Sequence, residues 1–353
     1  MKVLCIFNWT IQRLYEDDPD VREPDKILPD ERYWFFKHWP VDDLEVDIID
    51  WKKTGFINVL GRSIGFKLYD PKNLTKKAEN YDLVLIHGAS AGFLFLLYNS
   101  LFTKKTDTKI GLFDVGGVRA GLLPTSIRYP LIKKLFSPVD EIVCHTRKQK
   151  REYEKLLGKS TSVNFVPLGI NYWDIPEGEE TEEKYAVTIG YMERDWQTLF
   201  KALEEVPIPL KIIGITSEDV SYPKKLAPYL DFKGYLHKEK FDEVVGKSTL
   251  VILPIDETNH ATGQLTLLNS FSQAKPVIVS NVTGVKDYVI HKNDCMVYQP
   301  KNSMDLKNKI NMLWNSPELR KKLGKKAREI VENKYCLEKM SKKLFLIFKK
   351  YIS

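Results

Sequence analysis

Short apolar runs rich in β-branched residues alternate with amphipathic runs along most of the chain. In the first half, the apolar runs are KVLCIFN, LEVDIID, DLVLIHG, KIGLFDV, EIVCHT and VNFVPLG. The amphipathic runs between them predict helices at Asp30–Trp39, Ala89–Phe102, Thr125–Phe136 and Lys148–Leu157. Strands that are apolar on both faces and are joined by helices are typical of a parallel sheet that helices cover on both sides.

The alternation restarts after GINYWDIPEGEETEEK, an acidic segment with Gly and Pro that predicts a linker. The apolar runs that follow are YAVTIGY, LKIIGI, DFKGY, TLVILPI, PVIVSN and CMVYQ. Ser316 and Pro317 form a good helix start, with Ser as N-cap and Pro at the first helical position. The helices predicted in this half are Asp195–Val206, Tyr222–Leu230, Lys238–Lys247, Leu265–Gln273, Val285–Ile290, Asp305–Leu313, Glu318–Tyr335 and Leu337–Tyr351.

We therefore predict an α/β protein with two doubly wound, Rossmann-like domains in tandem that face a cleft. The first domain spans residues 1–168 and the second spans residues 169–335. A C-terminal helix within residues 336–353 is expected to pack back on the first domain. The length of 353 residues, 43% of them hydrophobic, suffices for two cores. Ligands of such sheets bind beyond the carboxyl ends of the strands, so the cleft is the expected site.

Charge and cysteine usage restrict the partners and the compartment. A net charge of +7 suits anionic ligands or an anionic membrane surface. It is too small to indicate a basic tail that binds nucleic acid. The four cysteines form no C-x-x-C pair, which favours buried, reduced thiols in a cytoplasmic protein. The start MKVLCIFNW is a strand and not a signal peptide. The longest apolar run, Ala91–Phe102, is shorter than the roughly 20 residues that span a bilayer, so any membrane contact is expected to be peripheral, at the inner face.

The segment HATGQLTLLNSFSQAKPVIVS carries the clearest candidate chemistry. Thr262, Gly263 and Gln264 are predicted to lie at the N-terminus of a helix, where backbone N–H groups bind phosphate. Gly263 permits a close approach of the backbone to a ligand. Arg194, after the predicted strand of TIGYMER, offers a planar cation that suits a diphosphate. No Asp-x-Asp metal signature lies in a plausible loop, so the sequence predicts phosphate binding without a metal.

The second half resembles the glycosyltransferases of family 4, which are retaining enzymes with the GT-B fold. The resemblance is carried by TGQLTLLNSFSQAKPVIVSNVTGVKDYVIHKNDCMVYQPKNSMDLKNKINMLWNSPELRKKLGKKAREIV, residues 262–331. It keeps the family's order of Gly-rich turn, helix, Lys-Pro strand, Gly then Asp, and closing helix. Weaker matches are VPLGIN, IGYMERDWQTLFKALEEV and YDLVLIHGAS.

The resemblance implies transfer of a sugar from a UDP- or GDP-linked donor to a glycan, a polysaccharide or a lipid-linked acceptor, without a cofactor. It places Asn269 at the nucleotide ribose, Tyr235 and Leu236 near the base, and His260 at the sugar if the register shifts by one. The residues implied to bind the donor are Arg194, Tyr235, Leu236, His260, Thr262, Gly263, Gln264 and Asn269.

Two residues of the first domain are candidate catalytic groups. His87 ends the strand of DLVLIH, so its imidazole is expected at the carboxyl edge of the sheet. By resemblance it would contact the donor sugar or the acceptor hydroxyl. Asp114 ends the next strand, in LFDVGG, and would act as a base or hold a sugar hydroxyl. His145 also ends a strand, and a structural role is favoured for it.

One departure from the family keeps alternatives open. The family carries two glutamates eight positions apart, where this chain has Ala261 and Asn269. Asn269 can still hydrogen-bond a ribose hydroxyl, whereas Ala261 cannot replace a carboxylate. A catalytically silent GT-B module, binding a nucleotide or a glycan or partnering an active transferase, is therefore the alternative. An epimerase of the same fold would need paired carboxylates that the sequence does not offer.

Two further segments have open interpretations. The aromatic run PDERYWFFKHWP predicts either a core helix or a surface that stacks on sugars or enters a lipid interface. The run SIRYPLIKKLFSPV predicts either a solvated amphipathic helix or one that lies on an anionic membrane.

Overall fold

The computed structural model describes residues 1–7, 11, 31–49, 70–103, 107–114, 125–159, 161–173, 175–190, 192–258 and 261–351. The side chains of residues 114 and 125–128 are not among the described parts. The chain divides into two compact units. The N-terminal unit comprises Met1–Pro167 and Met340–Ser353, and the C-terminal unit comprises Leu168–Lys339.

The N-terminal unit is built on a six-stranded parallel sheet in the order β2-β1-β3-β4-β5-β6. The chain runs from β1 out to β2 and returns to β3 on the other side of β1, so the topological switch point lies between β1 and β3. The strands are β1 (Lys2–Phe7), β2 (Glu45–Ile49), β3 (Leu83–His87), β4 (Lys109–Asp114), β5 (Glu141–Cys144) and β6 (Ser162–Phe165). The helices are α1 (Pro71–Ala78), α2 (Ala89–Phe102), α3 (Thr125–Leu135) and α4 (Arg147–Leu157).

The C-terminal unit carries a second six-stranded parallel sheet, in the order β12-β11-β10-β7-β8-β9. Its switch point lies between β7 and β10. The strands are β7 (Ala186–Ile189), β8 (Leu210–Ile213), β9 (Leu230–Gly234), β10 (Leu250–Leu253), β11 (Val277–Ser280) and β12 (Met296–Tyr298). The helices are α5 (Trp196–Glu205), α6 (Lys238–Gly246), α7 (Gln264–Ser272), α8 (Ser303–Trp314), α9 (Pro317–Lys334) and α10 (Leu337–Phe348), the last of which continues into the N-terminal unit.

The buried residues explain why these strands form. In the C-terminal sheet, all four residues in each of β7, β10 and β11 are buried, so these strands are covered on both faces as predicted. One core cluster lies under α7 and α9 and the other under α5 and α8. The predicted α/β fold with two doubly wound sheets is confirmed. The Ser316 hydroxyl accepts a hydrogen bond from the Leu319 N–H, so the predicted start of α9 is also confirmed.

Within the part of the chain that the structure describes, three predicted helices are wrong and one helix was missed. Within Asp30–Trp39, the described residues form only a 3₁₀ helix, Trp34–His38, because Trp34 has a positive φ and Pro40 follows. Tyr222–Leu230 is a 3₁₀ helix at Lys224–Tyr229 that contains Pro228. Val285–Ile290 forms turns. The missed helix is α1, although Asp70 and Pro71 are a good cap and first residue.

The predicted linker is part of the C-terminal unit and packs against its other residues. The Gly178 N–H donates to the Gln273 carbonyl at 2.9 Å. Arg320, which is buried, donates to both carboxylate oxygens of Glu180 at 3.0 and 3.2 Å. A Cβ on Gly178 would lie 2.4 Å from the Gly246 carbonyl oxygen. This acidic segment is therefore packed along its middle and does not form a free connection.

The aromatic run belongs to the core of the N-terminal unit. Phe35, Phe36 and Trp39 are buried, and Trp39 contacts the ring of Phe348 from α10 at 6.3 Å. The Ser341 hydroxyl, also from α10, donates to the Phe35 carbonyl at 2.6 Å. These contacts hold the C-terminal residues on the N-terminal unit, and they leave Phe35, Phe36 and Trp39 unavailable for stacking on a ligand.

The cysteines and the lengths of the helices can be compared with the predictions from the sequence. Cys5, Cys144, Cys295 and Cys336 are all free and buried. Burial raises the pKa of the Cys5 and Cys295 thiols, so both stay protonated at neutral pH. Among the described residues, no helix combines the length and the apolar character that crossing a membrane requires.

Candidate functional site at the carboxyl edge of the C-terminal sheet

Two loops meet at the switch point of the C-terminal sheet. One follows β7 and contains Arg194, and the other follows β10 and contains Ile255. Arg194 and Ile255 form an antiparallel bridge. The Asp195 N–H donates to the Pro254 carbonyl at 2.7 Å, and the Asp256 N–H donates to the Glu193 carbonyl at 2.9 Å. These bonds hold the two loops together where open α/β sheets bind their ligands.

The turn that begins α7 packs onto this pair of loops. Gly263 has φ +88°, and a Cβ at this position would lie 2.2 Å from Ile255 Cδ1. Because the backbone is left-handed and the space is filled, only glycine fits. The main chain of Thr262 packs in the same way against Gly284, where a Cβ would lie 2.1 Å from the Thr262 oxygen. Buried Gln264 donates from Nε2 to the Gly284 carbonyl at 2.6 Å.

The first amides of α7 are available for a ligand. Gly263 is the N-cap residue, and no side chain of the described residues caps this helix. The N–H groups at a helix start have no partner within the helix, and the helix dipole adds partial positive charge there. Thr262 and Gly263 are half-buried, and Leu265 beside them is exposed. The predicted anion-binding helix start is therefore at the sheet edge.

Arg194 is buried at the end of β7, with 9% of its surface exposed. It donates from Nε to the Ile189 carbonyl and from Nη1 to the Met192 carbonyl, both at 2.9 Å. A Cβ on Gly190 would lie 2.3 Å from Nη2, so this glycine makes the space for the guanidinium. Burial lowers the pKa of Arg194 to about 10, so it remains charged at neutral pH. Within the described ranges it forms no salt bridge with an acid.

Sequence reasoning missed an ion-pair cluster at the same edge. Lys301, in the loop after β12, lies 3.4 Å from Asp195 Oδ2 and forms a second salt bridge with Asp256. Asp195 is buried and also accepts a hydrogen bond from the Thr198 N–H at the start of α5. Lys301 is about a hundred positions from Asp195 along the chain, and no local sequence signal joins them.

Glu257 is a second residue that sequence reasoning missed. Its carboxylate oxygens accept from the Thr283 N–H at 3.2 and 3.3 Å. Glu257 is exposed and lies in the loop that leads from β10 to α7. The next residue, Thr258, has its hydroxyl 3.5 Å from that of Thr262. The sequence signal was available, because two acids, Asp256 and Glu257, directly follow the apolar run TLVILPI.

The residues predicted near the nucleoside are more dispersed. Tyr235 and Leu236 directly follow β9, which lies two strands from β7. The Tyr235 side chain is exposed and contacts the His237 ring at 5.6 Å, whereas Leu236 packs on the core. Asn269 is half-buried within α7. His260 lies outside the described residues. The switch point thus brings together Arg194, Thr262, Gly263 and Gln264. Tyr235 and Leu236 lie after β9, and Asn269 lies farther along α7.

In the N-terminal unit, His87 lies at the switch point between β1 and β3. It is paired in register with Phe7, and its ring lies 5.6 Å from Phe7, 5.8 Å from Trp34 and 6.0 Å from Phe113. Burial, and secondarily the charge of His145, lower the pKa of His87 to about 3. A neutral imidazole at physiological pH can donate or accept a hydrogen bond but carries no charge.

The other two candidates of this unit have different positions. Asp114 ends β4, in register with Cys144, and its side chain lies outside the described parts. His145 is buried, with Nδ1 2.8 Å from the Val166 carbonyl oxygen, and burial lowers its pKa. This placement agrees with the structural role that the sequence favoured for His145.

Comparison with known proteins identifies the C-terminal unit. Residues 175–330 match the family model described as "Glycosyl transferases group 1". An uncharacterized glycosyltransferase of Methanocaldococcus jannaschii is 25% identical over 212 residues, which cover 57% of this chain and 56% of the relative. The chain therefore aligns with little more than half of that relative's length.

Solved structures share the fold of the whole chain. The sucrose-phosphate synthase of Thermosynechococcus elongatus is 15% identical, with a TM-score of 0.68, and the match covers 99% of this chain and 88% of that one. HepE of Anabaena, in complex with UDP-glucose, is 12% identical, with a TM-score of 0.66 and coverage of 87% and 86%. The C-terminal unit therefore contains a group 1 glycosyltransferase domain, and the chain as a whole has the GT-B fold of these solved structures.

Proposed function

We propose that the protein is a retaining, metal-independent transferase that moves a sugar from a nucleoside-diphosphate sugar to an acceptor hydroxyl. The observation that carries the proposal is the start of α7, where Gly263 lies against Ile255 and Ile255 pairs with Arg194. The donor is UDP- or GDP-linked. HepE was solved with UDP-glucose, which makes a UDP-sugar the first donor to test.

In the proposed reaction, the bond between the anomeric carbon and the diphosphate oxygen breaks, and a bond from that carbon to the acceptor oxygen forms. The nucleoside diphosphate leaves with the bonding electrons, and the acceptor hydroxyl loses its proton. Charge develops on the leaving diphosphate, so fixed positive groups stabilise the transition state. The amides after Gly263 and the charged guanidinium of Arg194 supply them without reorganisation.

The remaining site residues receive roles by this proposal. The Asn269 amide bonds the ribose, and Tyr235 and Leu236 lie beside the base. His260 and the carboxylate of Glu257 are assigned to the donor sugar, where Glu257 compensates for the absence of an acid at Ala261. His87, held neutral, hydrogen-bonds the sugar or the acceptor hydroxyl, and Asp114 acts as a base or binds a sugar hydroxyl.

We assign the acceptor to a growing glycan, a polysaccharide or a lipid-linked sugar. A lipid-linked acceptor would require the protein to work at a membrane surface. Two lysines on α3, Lys133 and Lys134, are exposed in the basic-apolar run and support peripheral contact with an anionic membrane. This assignment places the protein in the cytoplasm, at the inner face of the membrane.

The direct test is release of UDP or GDP from a panel of nucleotide sugars, with and without glycan and lipid acceptors. We expect release from at least one donor, undiminished by EDTA, and an anomeric configuration retained in the product by NMR. Loss of activity in EDTA that added metal restores would refute the metal-independent part. An inverted product would refute retention.

The catalytically silent module remains the second candidate, because Ala261 and Asn269 replace the family's glutamates. It predicts measurable UDP or GDP binding by calorimetry with no release from any donor. Glu257→Gln separates the two candidates further. In an active enzyme this variant lowers turnover while donor binding is kept, and in a silent module it changes neither property.

A further inference from the structure

The helix α2 is unusual in composition for a helix at the surface. Its fourteen residues, ASAGFLFLLYNSLF, include no charged side chain. One face is buried in the core of the N-terminal unit through Ala91, Phe95 and Leu96. On the other side, Leu101 and Phe102 are 54% and 72% exposed, and Leu97 is exposed as well. A helix that is apolar all round is normally buried or in contact with lipid.

The neighbouring helix α3 adds another exposed apolar side chain and positive charge. The two helices are in contact, and Ile132 and Leu135 of α3 share the core cluster that contains Phe95. Leu131 is 55% exposed, and Lys133 and Lys134 on the same helix are exposed. The sequences of the two helices contain basic residues only on α3 and no acidic residue on either.

We propose that α2 and α3 form a docking surface for the anionic face of a lipid bilayer. This α2–α3 surface consists of Leu97, Leu101, Phe102, Leu131, Lys133 and Lys134. The apolar side chains enter the boundary between headgroups and acyl chains, and the lysines pair with anionic headgroups. The inference deepens the proposed function, because it names the membrane as the partner that would present a lipid-linked acceptor.

Charge complementarity favours a bilayer over a protein partner. Centres of protein interfaces are depleted in lysine, whereas binding to an anionic surface is strengthened by each lysine near it. The most exposed apolar residues, Leu101 and Phe102, are the last two of α2. A helix end that presents two large apolar side chains suits shallow insertion. Neither helix contains an acidic residue, which anionic headgroups would repel.

The experiment is sedimentation of the full chain with vesicles of phosphatidylcholine, with and without phosphatidylglycerol. We expect binding to the anionic vesicles that weakens as salt rises, and weak binding to neutral vesicles. Two variants, Leu101→Glu with Phe102→Glu and Lys133→Gln with Lys134→Gln, should each reduce binding about ten-fold or more. The control is Ile290→Glu, at an exposed apolar residue of the C-terminal unit, and it should bind like the parent.

Three results would overturn the proposal. They are no binding to anionic vesicles, equal binding to neutral and anionic vesicles, and equal loss in the Ile290→Glu control. A dimer in light scattering without vesicles, dissociated by the Leu101 and Phe102 changes, would assign the surface to a second copy instead. If the double glutamate variant fails to fold, the lysine variant and the comparison of lipids still decide. UDP binding measured without vesicles tests the proposed function separately, so either inference can fail alone.

Discussion

The carboxyl edges of the two sheets have similar topology and different chemistry. In the N-terminal sheet, the switch point between β1 and β3 holds a neutral histidine among the aromatic rings of Phe7, Trp34 and Phe113. In the C-terminal sheet, the switch point between β7 and β10 holds Arg194 and the start of α7. The fold thus supplies the place for a ligand at both edges, and the side chains decide what each edge can bind.

The difference follows from how each edge treats charge. Burial among aromatic rings disfavours the protonated form of His87, so this histidine is uncharged at neutral pH. The C-terminal edge keeps Arg194 charged although it is buried, because burial lowers its pKa only to about 10 and the charge of Glu193 opposes that shift. A diphosphate therefore suits the second edge, and a neutral hydroxyl suits the first.

Among the variants proposed here, Gly263→Ala should have the largest effect on the stability and UDP binding of the C-terminal edge. The new Cβ would overlap Ile255 and stand on a left-handed residue, which together cost about 3 kcal/mol. Urea unfolding should show this loss, and calorimetry should show no UDP binding. The matched control is Gly158→Ala, which has φ +66° but meets nothing within 4 Å and should cost only about 1 kcal/mol. Equal costs in the two variants would mean that the α7 turn is not tightly packed.

Arg194→Met should have the second-largest effect, on UDP binding. Removal of the guanidinium should weaken UDP binding by about 1.5–3 kcal/mol, as expected for hydrogen bonds to a charged group. Arg320→Met is the control, because Arg320 is also buried and also donates to main-chain carbonyls, at 2.9 Å. Both variants should lower the unfolding temperature, and only Arg194→Met should affect UDP binding. A similar affinity in both would exclude Arg194 from the donor site.

The neutral state of His87 can be probed through the pH dependence of stability. His87 has a folded-state pKa of about 3, below the ordinary value near 6.5, so the unfolded state binds the proton more readily. Its contribution to stability is complete above pH 6.5 and is lost as pH falls from 6.5 towards 3. The loss is at most about 1.4 kcal/mol per pH unit. His87→Gln should therefore lose less stability than the parent between pH 7 and pH 5 in urea unfolding.

The same variant sharpens the assignment of His87 to the reaction. His87→Gln should lower turnover more than it lowers donor affinity, since the proposed contact is with the sugar or the acceptor. The buried histidine His145, changed to Gln, serves as the control for structural effects. An unchanged rate in His87→Gln would remove it from the reaction, and an unchanged pH profile would contradict its burial.

Lys301→Met should give the smallest effect. Without the lysine, Asp195 and Asp256 would keep uncompensated charge beside the proposed diphosphate site, so UDP binding should weaken by roughly 0.5–1 kcal/mol. The control is Lys307→Met, which breaks the salt bridge between Lys307 on α8 and Glu205 on α5 and should leave UDP binding unchanged. Added salt should narrow the difference between the two variants. No difference at low salt would show that the cluster lies away from the ligand.

The sequence by itself determined the fold class, because alternating apolar and amphipathic runs already encode parallel strands covered by helices. It also located Gly263 at a helix start and Ser316 at another, since caps and turns are local signals. It failed at Tyr222–Leu230, where Pro228 left only a 3₁₀ helix.

Tertiary structure alone decided how the site residues meet. That Ile255 fills the space beneath Gly263, that Arg194 is buried against Ile189 and that Lys301 reaches Asp195 all depend on the order of the strands. Strand order arises from the packing of the whole sheet and is not written in the local pattern of apolar positions. The pattern therefore predicted which residues end strands, and packing determined which of those ends became neighbours.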